Sequence, residues 1–435
     1  MKNSNISNDR ILAAGFNVSN DTVQTGLNNN DLIIGPSGAG KTGGYVIPNM
    51  LRFNTSMVVA DTKGNLCKKL SPVLRKNGYK IHTIDFVNPE KSSTYNPLDY
   101  IRRDEKTGKF REQDIITISN ALIPFQSEDP FWTESAKLII GGLIGFVLEA
   151  FPREEQNLST VAKVYTVMNS QISKRADGEE IKVRFLEEWG MKHPDSFAVR
   201  RYKLFKGVLL SEKTWGSISQ FITNPLAQFE FEEAKAMFSR PADYTIEELG
   251  RRKTVIFLNV SDSDRAFDNI VNLFYTQALQ ALITEADKNK DSKLKVPVRL
   301  ILDDFATNAR IPDFDKIISV IRSRDISVSV ILQSLSQLEA MYGKSSDTIV
   351  NNCDHILYLG GTDLDTTTYI AHRVSKTVQT VMAMPLDKVW VLERGKRGVL
   401  CDRVKPYSMM DKTTVKKQTA KKQSAKNEPQ QKLSA

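Results

Sequence analysis

The sequence predicts an α/β fold: a P-loop domain built on a parallel central sheet and interrupted by an all-α insert. Three observations carry this. The segment Asp31 to Thr42 reads as an apolar strand, a glycine-rich turn and a helix start, with the spacing Gly35-x4-Gly40-Lys41-Thr42. Strand and helix patterns alternate around it up to Tyr100, and again after Thr254. Between about Arg102 and Gly250 the periodicity is helical, with no convincing strand.

In chain order, residues 1–30 form a β-rich lead-in with turn signals at Ser19-Asn-Asp and Asn28-Asn-Asn. Leu32 to Ile34 is the first buried strand. Pro48 is expected to end or kink the helix that follows the glycine turn. Ser56 to Asp61 is a second strand, and a helix then runs to about Lys76. Lys80 to Phe86 is a third strand, and Tyr95-Asn-Pro-Leu-Asp-Tyr100 is a closing turn. The insert reads as helices over 114–123, 133–151, 158–170, 181–188, 197–210, 214–223 and 231–237. The strand–helix rhythm resumes with strands at 254–260, 298–304, 326–333 and 355–360. Helices are expected over 266–287, 311–323 and 335–342, and a terminal hairpin from Trp390 and Val399. The resulting division is 1–101, first part of the nucleotide-binding domain; 102–250, insert; 251–408, second part; 409–435, a basic tail. From Asp411 the composition is too poor in apolar residues to order itself.

The chemistry of the glycine turn follows from its residue types. The run Gly35, Pro36, Ser37, Gly38, Ala39, Gly40, Lys41 and Thr42 bends so that successive N–H groups point into one concavity, a nest for phosphate oxygens. The helix start adds its positive dipole end. Lys41 supplies a charge for the β- and γ-phosphates of ATP, and the Thr42 hydroxyl is a ligand for Mg²⁺. Leu300-Ile-Leu-Asp303-Asp304 places two acids at the end of a buried strand. Asp303 is the expected holder of Mg²⁺ through its water shell, and Asp304 the residue that orients and polarises the attacking water. Without the P-loop upstream, the same pair would read as an ordinary strand-end turn. Gln333 ends the next strand, where an amide could sense the γ-phosphate or simply close the strand. Arg322 and Arg324 stand near a helix end; either could reach a neighbouring subunit's nucleotide, or merely complement the helix dipole.

The net charge of +9 leans toward a nucleic acid or an acidic membrane surface. More than half of it lies after Asp411, where seven lysines face two acidic residues, so charge alone does not make the body a DNA binder. Arg200-Arg-Tyr-Lys-Leu-Phe-Lys206 interleaves basic and aromatic residues, as a nucleic-acid contact or as a solvated helix face over two core rings. Cys67, Cys353 and Cys401 show neither disulfide framework nor metal spacing, which suits a reducing compartment. The longest apolar run, Leu138 to Leu148, contains three glycines and is read as a buried helix rather than a membrane span.

Together these motifs resemble the type IV coupling proteins, the TraG-like ATPases of conjugation and type IV secretion. The resemblance runs from about Asn29 to Tyr407. It rests on the P-loop, Val59-Ala-Asp-Thr-Lys-Gly-Asn, Tyr95-Asn-Pro-Leu, Phe131-Trp132, Leu302-Asp-Asp-Phe-Ala, Ile331-Leu-Gln-Ser, Asn352-Cys353 and Arg394-Gly, in that order. It implies a RecA-like motor domain and a homo-hexameric ring around DNA. The implied partners are single- or double-stranded DNA, a relaxase or relaxosome, and channel proteins at the inner face of the plasma membrane. It implies an ATP-driven pump for DNA or protein cargo; the alternative is an ATP-binding substrate receptor with little motor activity. By position, Arg322 rather than Arg324 matches the family's trans-acting arginine. Two departures stand out. Asp304 replaces a frequent Glu, and the usual leading transmembrane helices are missing, so the expectation is an anchorless, cytoplasmic, peripherally membrane-associated member.

Overall fold

The computed structural model describes residues 7–62, 64–123, 129–173, 182–239, 242–261, 266–305 and 310–410. Lys63, Ile181, Ala306 and the tail from Asp411, each part of a sequence-based expectation above, lie outside them. The first hairpin pairs β1 (Asp9–Ala13) with β2 (Phe16–Ser19). The strands of the main sheet are β3 (Asp31–Ile34), β4 (Ser56–Ala60), β5 (Lys80–Asp85), β6 (Thr254–Asn259), β7 (Val298–Leu302), β8 (Ile326–Leu332), β9 (His355–Tyr358), β10 (Lys388–Glu393) and β11 (Val399–Asp402). Their spatial order is β11-β10-β9-β3-β8-β7-β4-β6-β5. From β9 to β5 every pairing is parallel; β10 and β11 close one edge as an antiparallel hairpin.

The parallel strands read as near-continuous apolar runs because both faces of the sheet are covered. Ile33, Met57, Val59, Phe257, Ile301 and Ile331 point to one face, with Tyr45, Val46 and Met50 of the P-loop helix. Leu32, Ile34, Val58, Leu258, Leu300 and Val328 point to the other, in one core with the helix Asp268–Asp287 and the insert.

The insert is built around the helix Pro130–Ala150, which packs on Phe197–Phe205 and Glu212–Ala227. That central helix is long and apolar enough to cross a membrane by length and composition, but 72% of its most apolar window is buried inside the fold. Among the described residues the insert contains no strand, only one isolated bridge between Arg103 and Phe110.

Three expectations are corrected. Pro48 does not end the P-loop helix. The chain forms a π-helical turn over Thr42–Val46 and continues as Ile47–Met50 with Pro48 inside it. In that wider register Ile47 N–H donates to Thr42 O, so the next acceptor, Gly43 O, would need the N–H that Pro48 lacks. The expected helix over 311–323 shrinks to Phe314–Val320 plus a 3₁₀ turn at Arg322–Arg324. Helices at Ser345–Asn351, Leu364–Val374 and Val378–Met382 fill stretches where no element was expected.

Candidate nucleotide site

The loop between β3 and the P-loop helix turns tightly, with Gly38 at φ +78° and Gly40 at φ +79°, conformations that other residues adopt only under strain. Its base is tied to β8 by Gly35 N–H donating to Leu332 O at 3.1 Å. Lys41 is buried, and its Nζ donates to Gly35 O at 2.7 Å and Pro36 O at 3.1 Å. Burial lowers the Lys41 pKa, opposed by the nearby Asp304 and Asp303 carboxylates. The ammonium is thus held at the rim of the nest by backbone carbonyls that a phosphate would outcompete.

Thr42 Oγ1 donates to Asp303 Oδ2 at 2.6 Å, joining the helix start to the end of β7. Asp303 is only 8% exposed. Burial pushes its pKa up to about 6, the Thr42 hydrogen bond pulls it down, and Asp304 pushes it up again. A hydroxyl and a buried acid in contact beside a phosphate nest suit a small divalent cation with oxygen ligands, which would replace the proton that Asp303 holds below about pH 6. Asp304 adopts φ +50°, and its N–H lies 3.2 Å from Asp303 Oδ1. Phe305 N–H returns to Ile331 O on β8 at 3.0 Å.

Because β8 lies between β3 and β7, Gln333 follows β8 at the same sheet edge, between the P-loop and the two acids. Its side chain is exposed and lines a cleft of about 200 Å³ with Pro36, Tyr358, Gly360 and Thr366. Three adjacent strand ends therefore deliver the loop, the amide and the acids together.

Arg322 is not among them. It precedes β8, at the amino edge of the sheet, roughly 23 Å of strand from Gln333. Its Nη2 donates to Thr22 O at 3.0 Å and the side chain faces a polar cleft. Arg324 is held by Asp287 at 2.8 Å. Their partners thus separate two arginines that residue type alone left equivalent.

The basic–aromatic stretch Arg200 to Lys206 resolves into a solvated face over core rings. Tyr202 and Phe205 are buried, Arg200 pairs with Glu112, and Lys206 Nζ reaches Glu187 at 3.0 Å.

Two features escaped the sequence reading. One is a buried charge cluster at the amino edge of the sheet. Arg10 Nε donates to Asp31 Oδ2 at 2.8 Å, Arg299 Nη1 to the same oxygen at 3.1 Å, and Tyr45 OH to it at 2.6 Å. Arg299 inside an otherwise apolar strand was the available signal. The other is the segment after β11, which crosses the P-loop helix; the pair Gly43-Gly44 was its trace in the sequence.

The chain is similar to known proteins in sequence and fold. Residues 2–381 match the family described as type IV secretory system conjugative DNA transfer. VirD4 of Rhizobium rhizogenes is 23% identical over 354 residues, covering 79% of this chain and 49% of that protein. The chain therefore spans about half the length of the curated relatives it matches. The plasmid coupling protein TrwB, solved with the ATP analogue ADPNP, superposes with a TM-score of 0.63 at 13% identity, over 91% of this chain and 89% of that one. VirB4 of Thermoanaerobacter pseudethanolicus gives a TM-score of 0.56 at 13% identity, over 94% and 99%. These likenesses identify the fold as RecA-like with a helical insert. With the family match covering most of its length, the chain belongs to the type IV secretory system conjugative DNA transfer family.

Proposed function

We propose that the chain is an ATP-driven coupling protein that recruits DNA, protein cargo or both to a type IV secretion channel and moves it there. The observation that carries the nucleotide part is the Thr42–Asp303 contact beside the P-loop. TrwB has been solved with ADPNP and with ADP and Mg²⁺, which supports the same ligands here. In this reading the N–H groups of residues 35–42 and Lys41 hold the phosphates, while Thr42 and Asp303 hold Mg²⁺. When bound, the ion neutralises charge on the phosphates. Asp304 accepts a proton from the attacking water, Gln333 donates to the terminal phosphate, and Arg322 serves the site of a neighbouring subunit in a homo-hexamer. Residues 102–250 form the cargo-facing insert, and the cytoplasmic side of the plasma membrane is the proposed place of work.

One observation favours a second reading, an ATP-binding receptor with little turnover of its own. Asp304, the acid that would activate water, is one methylene shorter than Glu. ATP hydrolysis at low salt, with and without single- and double-stranded DNA, decides between them. DNA-stimulated turnover that is lost in Lys41→Ala supports the motor. Binding without turnover on any DNA supports the receptor.

A further inference from the structure

After β11 the chain turns back across the P-loop helix as a strap. Arg403 Nη1 donates to Ala39 O at 2.8 Å, and Tyr407 N–H donates to Gly43 O at 3.2 Å. This second bond fills the acceptor that Pro48 leaves without a backbone donor in the π register. The approach is close. A Cβ at Gly43 would lie 2.9 Å from Pro406 Cβ and 3.1 Å from Tyr407 Cε2. Gly43 lies beyond Thr42, so the strap, rather than the phosphate nest, is what requires a glycine there.

The strap presents one aromatic ring. Tyr407 adopts φ +63°, a backbone conformation that is strained for a bulky residue and that persists only where its surroundings enforce it. The residue is nevertheless 46% exposed, with Lys69 Nζ 5.3 Å from the ring centroid. The structure thus holds a strained residue in place and leaves it about half open to solvent.

The strap also lies against the phosphate loop itself. A Cβ at Gly40 would lie 2.9 Å from Pro406 Cγ and 3.9 Å from Arg403 Nη1. The nucleoside end of a nucleotide held in that loop therefore has the strap within reach. We infer that Tyr407 is the platform on which the base of the bound nucleotide stacks, with Arg403 and Pro406 positioning the strap. The inference rests on the nucleotide reading above.

Calorimetric titration of the full chain with Mg-ATP and with inorganic tripolyphosphate tests it, because tripolyphosphate fills the phosphate nest and has no base. Tyr407→Asn keeps a residue that tolerates the left-handed backbone, and Tyr407→Phe keeps the ring. Gly43→Ala suits a helix and displaces the strap. The expected result is that Tyr407→Asn and Gly43→Ala weaken ATP about tenfold, leave tripolyphosphate within about twofold, and Tyr407→Phe retains wild-type affinity. Equal losses for both ligands, no loss for either, or a Tyr407→Phe that behaves like Tyr407→Asn overturns the inference. If the wild-type chain binds neither ligand, the nucleotide reading itself falls and takes the inference with it.

Discussion

Thr42 Oγ1 and Asp303 Oδ2 lie 2.6 Å apart although 261 residues separate them in the chain. The contact joins the start of the P-loop helix to the end of β7, and it pulls the Asp303 pKa down against the burial that raises it. Asp303 is pushed up to about 6 by burial, from an ordinary value of 3.8. The folded protein therefore retains this proton between about pH 4 and 6 while the unfolded chain loses it. That stabilising difference disappears as pH rises through 6. A cation needs the carboxylate, so Mg²⁺-dependent ATP binding is expected to weaken as pH falls below about 6 and to release a proton there. Calorimetry at pH 6 in buffers of different ionisation enthalpy measures that release. Asp303→Asn is expected to abolish both the release and the pH dependence; a wild-type release of zero would remove the linkage.

Asp304 differs from Asp303 in backbone as well as in role. At φ +50° it occupies a region where Asp and Asn are far better tolerated than longer side chains. Asp304→Asn is thus expected to leave the denaturation midpoint nearly unchanged while lowering turnover by about 10²-fold or more. Asp304→Glu, which supplies the longer acid, is expected to cost on the order of 1 kcal/mol of stability. Equal urea midpoints for the Glu and Asn variants would show that the backbone does not select the shorter acid.

How legible was all this in the sequence? The glycine turn, the acids after β7 and the parallel strands were legible because each depends on residues within a few positions of one another. Residue types alone did not separate Arg322 from Arg324; the family resemblance, by position, pointed to Arg322. Their difference is a partner, Asp287, on a helix that follows β6. Pro48 was expected to end or kink the helix; it does not end it, because a π turn and a donor from Tyr407 accommodate the missing N–H. The short helices after Tyr342 lack a long apolar stripe and take their stability from tertiary packing, which overrides weak local propensity.

The cluster of Arg10, Asp31, Arg299 and Tyr45 makes a stability prediction. Both guanidiniums are buried, with Asp31 1% exposed between them. Asp31→Asn would leave two uncompensated buried cations and is expected to cost about 3–5 kcal/mol. Tyr45→Phe, which removes one hydrogen bond to Asp31, is expected to cost about 1–3 kcal/mol. Urea denaturation measures both.

His355 adds a pH dependence to the same cluster. Its Nδ1 lies 2.8 Å from Arg10 Nη2, a contact only a neutral ring can accept, and burial lowers its pKa to about 4. Its stabilising contribution is complete above the unfolded value of 6.5 and is lost as pH falls through about 4. This acid loss runs opposite to the Asp303 effect. It is best read in an Asp303→Asn background, where thermal midpoints should fall between pH 6.5 and 4. A flat profile there would mean that His355 is not held neutral.

Arg322 sits at the amino edge of the sheet while the P-loop, Gln333 and the acids sit at the carboxyl edge. An arginine placed there acts, if at all, on another subunit. Arg322→Ala is therefore expected to bind ATP normally and to lose about 10³-fold or more in turnover. Arg324→Ala, which loses a partly exposed pair with Asp287 and a hydrogen bond to Val320 O, should cost about 1 kcal/mol of stability and leave turnover near wild type. Mixing makes the test decisive. In assemblies of Lys41→Ala and Arg322→Ala subunits, some interfaces combine an intact P-loop from one subunit with an intact Arg322 from its neighbour. Each variant alone is inactive, so activity regained on mixing requires the arginine to act across the interface. If no mixing ratio restores turnover, Arg322 does not work in trans, and its position at the sheet edge serves only the hydrogen bond to Thr22.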